Sequence, residues 1–386
     1  MNKIVCLSTS NWYPFPTRKQ HVMQRLSNAE VLYFDPPVTY LAPVKDKKTF
    51  GRLFRWMKKP VQPKPNITVY ACPPVLPFYN KVRFLNKLNQ KKIARFVRRR
   101  MKRHGFTNPV LWCYSPMSAD AVGKIPHKAL VYDCVDRHSA YKGLINEKTV
   151  NEMERKLASG ADQVIATAIG LYDTLESYNP HTVMLPNGVN FEHFNAAAVE
   201  DLPVPEDMKD LPRPIIGFSG MLQECIDYDA IEAVAKRHPD WSVALVGGPM
   251  PGVNLDYLHD YPNIHFLGMK PYAQMPAYLR AFDVCMNAFR AGRLSKDVSP
   301  LKFFEYMASG RPIVSTPQPE QVLGYTDAVY ITHSPQDFVD KCELALREPD
   351  VTKTKLRITY AKSCSWEARV REMEELLTTR GILEAE

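Results

Sequence analysis

Residues Ser299 to Thr316 read SPLKFFEYMASGRPIVST, and the rest of the chain is read outward from this stretch. Pro300 interrupts the chain, and Leu301, Phe304 and Met307 follow at helical spacing, which predicts a helix opening just after the proline. Gly310 stops that helix, Pro312 forbids its continuation, and Ile313-Val314 begins a buried strand. The same spacing puts Lys302 and Glu305 three residues apart on one face of the first turns. Unpaired backbone N–H groups at a helix start, together with the helix dipole, favour an anion such as phosphate. Lys302 adds charge there, and Glu305 can accept two hydrogen bonds from a ribose diol. Such a pair is more often a solvated surface contact worth about 0.2–0.5 kcal/mol, so its weight depends on its surroundings.

Those surroundings repeat the alternation of strand and helix. In the N-terminal half Ile4–Ser8, Val31–Phe34, Ile67–Ala71, Val110–Tyr114, Ala129–Tyr132, Gln163–Thr167 and Thr182–Leu185 read as strands. Lys19–Ser27, Lys81–His104, Ser118–Ala121, Val150–Leu157 and Ile169–Leu175 read as helices between them. A polar, proline-bearing segment, NAAAVEDLPVPEDMKDLPRP, follows, and the pattern restarts with the strands Ile215–Phe218, Ser242–Val246, Ile264–Leu267, Val284–Ala288 and Val329–Ile331. Helices are expected at Tyr228–Arg237, Tyr272–Ala281 and Trp366–Leu377. The fold class expected is α/β, with two Rossmann-like doubly wound parallel sheets facing a central cleft where ligands bind at strand carboxyl ends. The domains are placed at 1–195 and 213–365, with 366–386 a C-terminal helix suited to packing across their joint.

Length agrees, since 386 residues exceed one ordinary core. Eight cysteines are scattered singly without a C-x-x-C pair, which argues for a reducing, cytoplasmic setting and against structural zinc. No stretch approaches 18 apolar residues, and the first strand is too short for a signal-peptide core. The net charge of +9 conceals an asymmetry. Residues 1–110 carry 23 Lys and Arg against Glu30, Asp35 and Asp46, a net +20; the remainder carries 27 against 38, a net −11. Between Lys47 and Ala119 there is no acidic residue. Val82, Leu85, Ile93, Phe96, Val97 and Met101 fall near one helical stripe within this span, so a basic amphipathic helix is expected. Residues 45–104 therefore suit an anionic membrane surface better than nucleic acid, for which no helix-turn-helix, RNP, KH or zinc-finger signature is present.

Candidate chemistry gathers at predicted strand ends. Gly217-Phe218-Ser219-Gly220 and Gly247-Gly248-Pro249 let backbone approach an anion closely, although glycines there as often only turn the chain. Neither G-x-G-x-x-G after a strand nor G-x-x-x-x-G-K-[ST] occurs, so dinucleotide redox chemistry and P-loop hydrolysis lack their fingerprints. Arg290, Arg293 and Lys296 stand in the loop before the opening stretch, where a guanidinium fork suits diphosphate. On the N-terminal side Thr17-Arg18-Lys19-Gln20-His21 opens the first helix, and Asp133-Cys134-Val135-Asp136-Arg137-His138 follows a strand. Asp136 or His138 is placed to orient or deprotonate an acceptor hydroxyl, and a helix-capping role is at least as natural for Asp136. No Asp-x-Asp metal motif lies in a suitable loop, and neither a metal nor a cofactor is expected.

Three stretches resemble the GT-B glycosyltransferases, specifically the retaining glycosyltransferase family 4: Pro186–Phe194 (PNGVNFEHF), the segment GFSGMLQ, and Asn263–Thr316. With WYPFPTRKQH and VYDCVDRHSAY the likeness extends over nearly the whole chain, and it is nearest to the subgroup building bacterial surface polysaccharides of the teichuronic-acid type. The resemblance implies that Glu305 binds the donor ribose, Lys302 the diphosphate, and the loop around Gly268, Met269 and Lys270 the nucleobase. It implies that Gly220 and Gly248 line the donor pocket, and that Gln20 and His21 face the transferred sugar. Asp297 stands where the family has the first Glu of its paired motif, and Met221, Glu224 and Cys225 occupy the region where the family carries Arg and Lys. The expected activity is transfer from a nucleotide-diphosphate sugar to a lipid-linked glycan, at the inner membrane face and with retention. A sugar-nucleotide epimerase of the same fold, and a binding protein for membrane or RNA with a decayed donor site, are the alternatives.

Overall fold

The computed structural model describes the chain except for Phe15 and residues 141–144, 293–294, 349–350 and 386. It divides into two compact units, Met1–Pro186 with Arg369–Glu386, and Asn187–Ala368. The boundary therefore falls earlier than the expected linker, and the last helix, Trp366–Thr379, begins in the second unit and ends in the first. The expected linker NAAAVEDLPVPEDMKDLPRP starts too late because its first five residues are the end of an amphipathic helix that opens at Phe191. Phe191–Val199 is a helix, and Phe191, Phe194 and Ala197 bury in the second unit's core with Met208 beyond them.

In the first unit β1 (Asn2–Leu7), β2 (Ala29–Asp35), β3 (Val61–Lys64), β4 (Ile67–Ala71), β5 (Val110–Cys113), β6 (Ala129–Cys134), β7 (Gln163–Ala166) and β8 (Thr182–Met184) form one sheet in the order β3-β4-β2-β1-β5-β6-β7-β8. Every neighbouring pair is parallel except β3 with β4. Strand β3, VQPK, carries a proline and is largely exposed; it has neither alternation nor an apolar run to announce it. The long helix Arg83–Arg103 packs Ile93, Ala94, Phe96, Val97 and Met101 into the core.

In the second unit β9 (Ile215–Ser219), β10 (Ser242–Val246), β11 (Ile264–Gly268), β12 (Val284–Asn287), β13 (Ile313–Ser315) and β14 (Tyr330–Ile331) are all parallel, in the order β11-β10-β9-β12-β13-β14. Both units are thus doubly wound α/β sheets of Rossmann-like type. In each the order reverses beside the first strand, between β1 and β5 and between β9 and β12. Loops leaving two such strands diverge to opposite faces of the sheet, which opens a crevice at their carboxyl ends.

Candidate functional site

At the second unit's reversal point the Leu301–Ser309 helix lies against the end of β9. Its sequence explains its seat: Phe303, Phe304, Tyr306, Met307 and Ala308 are all buried, so apolar residues cover most of its circumference. The Tyr306 hydroxyl accepts the Ser219 N–H at 2.7 Å and lies 3.2 Å from the Ser219 carbonyl, to which it donates. Asn195 donates to the Ala308 carbonyl at 3.0 Å. Gly310 ends the helix at φ 71°, a left-handed conformation open to glycine at little cost.

Lys302 Nζ is 2.9 Å from Glu305 Oε2, with Glu305 buried and Lys302 half-buried. The Lys302 side chain passes beside Gly220: a Cβ placed on that glycine would stand 3.7 Å from Lys302 Cε. The three strand-end loops are knitted together by backbone. Gly220 donates to Val246, Gly247 to Gly268, and Leu222 to Gly248, at 2.8, 2.9 and 3.0 Å. Gly247 has φ 148°, and a Cβ there would stand 1.8 Å from the Gly220 carbonyl oxygen, so this crossing of loops admits no side chain. A Cβ on Gly248 would meet Met269 Cγ at 3.4 Å, which sets the β11 loop beside it.

The other cations offered by the sequence are committed elsewhere. Arg290 lies 3.0 Å from Asp229 and 3.7 Å from Asp227, and Lys296 lies 3.6 Å from Glu320. Lys270 pairs with Asp207 at 2.5 Å and lies 5.6 Å from the Tyr278 ring centre, so the side chain faces the segment before β9. Arg293 lies outside the described residues. Asp297 is buried in a short 3-10 turn ahead of the helix. Lys302, Glu305, Gly220 and Gly248 are thus drawn together, while Arg290 and Lys270 are held by carboxylates.

The first unit has its own opening at the β1/β5 reversal, a cavity of about 370 Å³. It is walled by the loops after β1, β2, β4, β5 and β6 and by the Arg83–Arg103 helix. Asp136 and His138 line it; His21 does not. His138 Nε2 lies 3.1 Å from the Tyr114 carbonyl, and burial lowers its pKa to about 4. His21 accepts from Arg25 at 3.0 Å through Nδ1, and burial, reinforced by that guanidinium, takes its pKa to about 3. Both imidazoles are neutral near pH 7 and too weakly basic to draw a proton from a sugar hydroxyl effectively. Gln20 is spent on the helix start, where its Oε1 accepts from the Thr17 N–H at 2.9 Å and its amide donates to the Asn11 carbonyl at 2.7 Å.

Sequence reading missed the buried pair of Arg18 with Asp133, whose Nε stands 3.0 Å from both carboxylate oxygens, and the placing of Lys19 in the cavity wall. Residues RK at the start of a six-residue helix carry no pattern that marks them as buried. Among the described residues no cluster of three or more His, Cys, Asp or Glu is arranged to hold a metal ion.

Two doubly wound units, the second with a lysine and a glutamate at a helix start beside crossing glycine loops, define the GT-B fold class. Residues 213–348, within the second unit, match the family described as Glycosyl transferases group 1. A curated relative, the "Putative teichuronic acid biosynthesis glycosyltransferase TuaH" of Bacillus subtilis (strain 168), is 26% identical over 263 residues. That alignment covers 63% of this chain and 65% of the relative. Among solved structures, sucrose-phosphate synthase from Thermosynechococcus elongatus superposes over 98% of this chain and 99% of its own, with a TM-score of 0.70 at 14% identity. Anabaena Alr3699/HepE in complex with UDP covers 98% and 100%, with a TM-score of 0.64 at 15% identity. At such identities the likeness is one of fold.

Proposed function

We propose that this chain is a glycosyltransferase that moves a sugar from a nucleotide-diphosphate donor to a lipid-linked or polysaccharide acceptor in cell-surface glycan synthesis, with retention of configuration. The observation that carries this is the Lys302–Glu305 pair at the start of the Leu301–Ser309 helix, with Lys302 beside Gly220. Charge builds on the diphosphate as the glycosidic bond loosens, and a fixed ammonium with unpaired helix N–H groups opposes that charge without reorganising. The Glu305 carboxylate, set beside that ammonium, accepts from a vicinal diol. The relative named for teichuronic acid synthesis supports a surface-polysaccharide role, and the solved UDP complexes of fold neighbours support a nucleotide donor.

Peripheral attachment at the inner membrane face is supported by the surface of residues 40–91. The Arg83–Arg103 helix begins inside out: Phe84 and Leu88 are exposed along with Lys87 and Lys91, while Asn86, Asn89 and Gln90 are buried. The expected apolar stripe is core only from Ile93 onward, and Val82, before the helix, is 45% exposed. Phe50, Phe54, Met57 and Phe78 are exposed on the preceding segment, which carries no acid beyond Asp46. Apolar side chains interleaved with Lys and Arg match an anionic bilayer interface. Among the described residues no helix is long and apolar enough to cross a membrane.

Calorimetric titration with UDP, GDP, ADP and CDP tests the reading. One of them binds the wild type, and Glu305→Ala and Lys302→Ala weaken it; failure of every nucleotide to bind sinks the proposal. Product analysis with the matching nucleotide sugar distinguishes a transferred linkage from the free sugar of an epimerase.

A further inference from the structure

The first unit's cavity is lined by an ammonium that no side chain or carbonyl among the described residues binds directly. Lys19 lines it and is 6% exposed. Among the described residues its ammonium makes no hydrogen bond and no ion pair; it lies over the Tyr114 ring, 5.7 Å from centre to Nζ, with Asp136 and Asp133 as its favourable charges at longer range. Asp133, which is buried and acts on Lys19 electrostatically, is already bound to Arg18 through both oxygens. Asp35 is held by the Trp12 N–H at 2.8 Å and by Arg55 at 3.3 Å, and Asp136 stands exposed to solvent. A cation–π contact at that range offsets only a part of the cost of removing an ammonium from water. Burial accordingly lowers the Lys19 pKa in spite of Asp136 and Asp133, which act to raise it.

The rest of the wall is suited to a polyol. Asn80 Oδ1 is buried in the cavity lining without a donor, so it is free to accept from a hydroxyl. Phe34, Val75 and Ile93 supply apolar surface for the face of a sugar ring. The volume lies at the lower end of the range for small-molecule sites, about 300–1,000 Å³.

We infer that this cavity seats an acceptor sugar bearing an anionic group, a carboxylate or a phosphate, with that group against the Lys19 ammonium. The occupant's being the acceptor rests on the transferase reading; its being an anion rests on the cavity alone. Lys19 is then a specificity-determining residue, since an anion gains a charge-assisted hydrogen bond in a desolvated site and a neutral sugar leaves the ammonium unpaired.

The test is calorimetric titration of the full chain at low salt with glucuronate, glucose 1-phosphate and glucose. Wild type is expected to bind at least one of the two anions about tenfold more tightly than glucose. Preference for glucuronate identifies a carboxylate and preference for the phosphate ester identifies a phosphate. Lys19→Met and Lys19→Gln, each checked for an unchanged melting transition, bring anion and glucose affinities to within about twofold. The exposed control Lys148→Gln keeps the preference. Equal binding of all three sugars, no binding of either anion up to about 20 mM, or an undiminished preference in both Lys19 variants overturns the inference. UDP titrated into the same samples separates the two readings. Loss of nucleotide binding with the anion preference intact fells the transferase reading alone, and the converse fells this one alone.

Discussion

Each unit buries a cation deep in its fold, and the two are treated in opposite ways. Arg357 in the second unit is fully buried and fully answered: it donates to the Gly310 and Ala328 carbonyls and to both Glu348 oxygens, at 2.5 to 3.2 Å. It thereby fastens the turn that ends the Leu301–Ser309 helix. In the first unit Arg18 keeps Nη2 without a hydrogen-bond partner, and Lys19 beside it makes no hydrogen bond or ion pair among the described residues. Complete satisfaction marks a group that holds structure, whereas capacity left unused next to a cavity marks a group waiting for something outside the chain.

That contrast is broken or sharpened most strongly by removing the two cations in turn. Arg357→Met takes the guanidinium away from buried Glu348, which keeps the Tyr330 hydroxyl, and from two carbonyls, and is expected to cost about 3–5 kcal/mol in denaturant unfolding, against little or no loss for Lys19→Met. Equal losses would erase the distinction. Next in size is Gly247→Ala, which must displace the Gly220 carbonyl; a loss of about 2–4 kcal/mol, with weakened nucleotide binding, is expected. Glu305→Ala and Lys302→Ala should leave the melting temperature within about 2 °C of wild type and lower nucleotide affinity about 10- to 100-fold. Large unfolding effects with unchanged affinity would make that pair structural, like Arg357.

Acid should act on the first unit through its histidines. His138 and His21 have folded pKa values of about 4 and about 3, below the ordinary value of 6.5, so the unfolded chain binds protons first. Their contribution is complete above pH 6.5 and is lost as pH falls toward 4 and 3, at about 1.4 kcal/mol per pH unit for each. His138→Gln should flatten the stability profile between pH 6.5 and 4; an unchanged slope counts against a buried neutral ring. The smallest effect is expected at the surface. Phe84→Ser with Leu88→Ser should reduce sedimentation with anionic vesicles severalfold, in a salt-dependent manner, without altering nucleotide binding.

Much of the second unit was legible because its helix and strand patterns are bounded by explicit punctuation. Pro300 and Gly310 bracket the Leu301–Ser309 helix, and Tyr228–Arg237 and Ser242–Val246 fall where periodicity places them. The Pro335–Leu346 and Val351–Ser363 helices went unread, since the second has little amphipathic character to detect. The Lys302–Glu305 pair was legible from spacing alone. Which other cations were available was not: Arg290 and Lys270 find acids from residues 63 positions away in each case or nearer, and such pairings are set by the fold. Lys19 was illegible for the same reason, as burial of a charged residue in a short helix depends on loops from five different strands.

The inside-out start of the Arg83–Arg103 helix has a further consequence. Its first turns write the polar wall of a cavity and the greasy exterior of the unit onto two faces of one short helical segment, with Asn89 and Gln90 inward and Phe84 and Leu88 outward. Deletion of one residue there would turn both surfaces by about 100° around the helix and spoil each of them. Diversification of what the cavity accepts is therefore channelled to its remaining walls, Ser8 to Ser10, Pro36-Pro37 and Ser115 to Ser118, where a change of side chain leaves the outer face untouched.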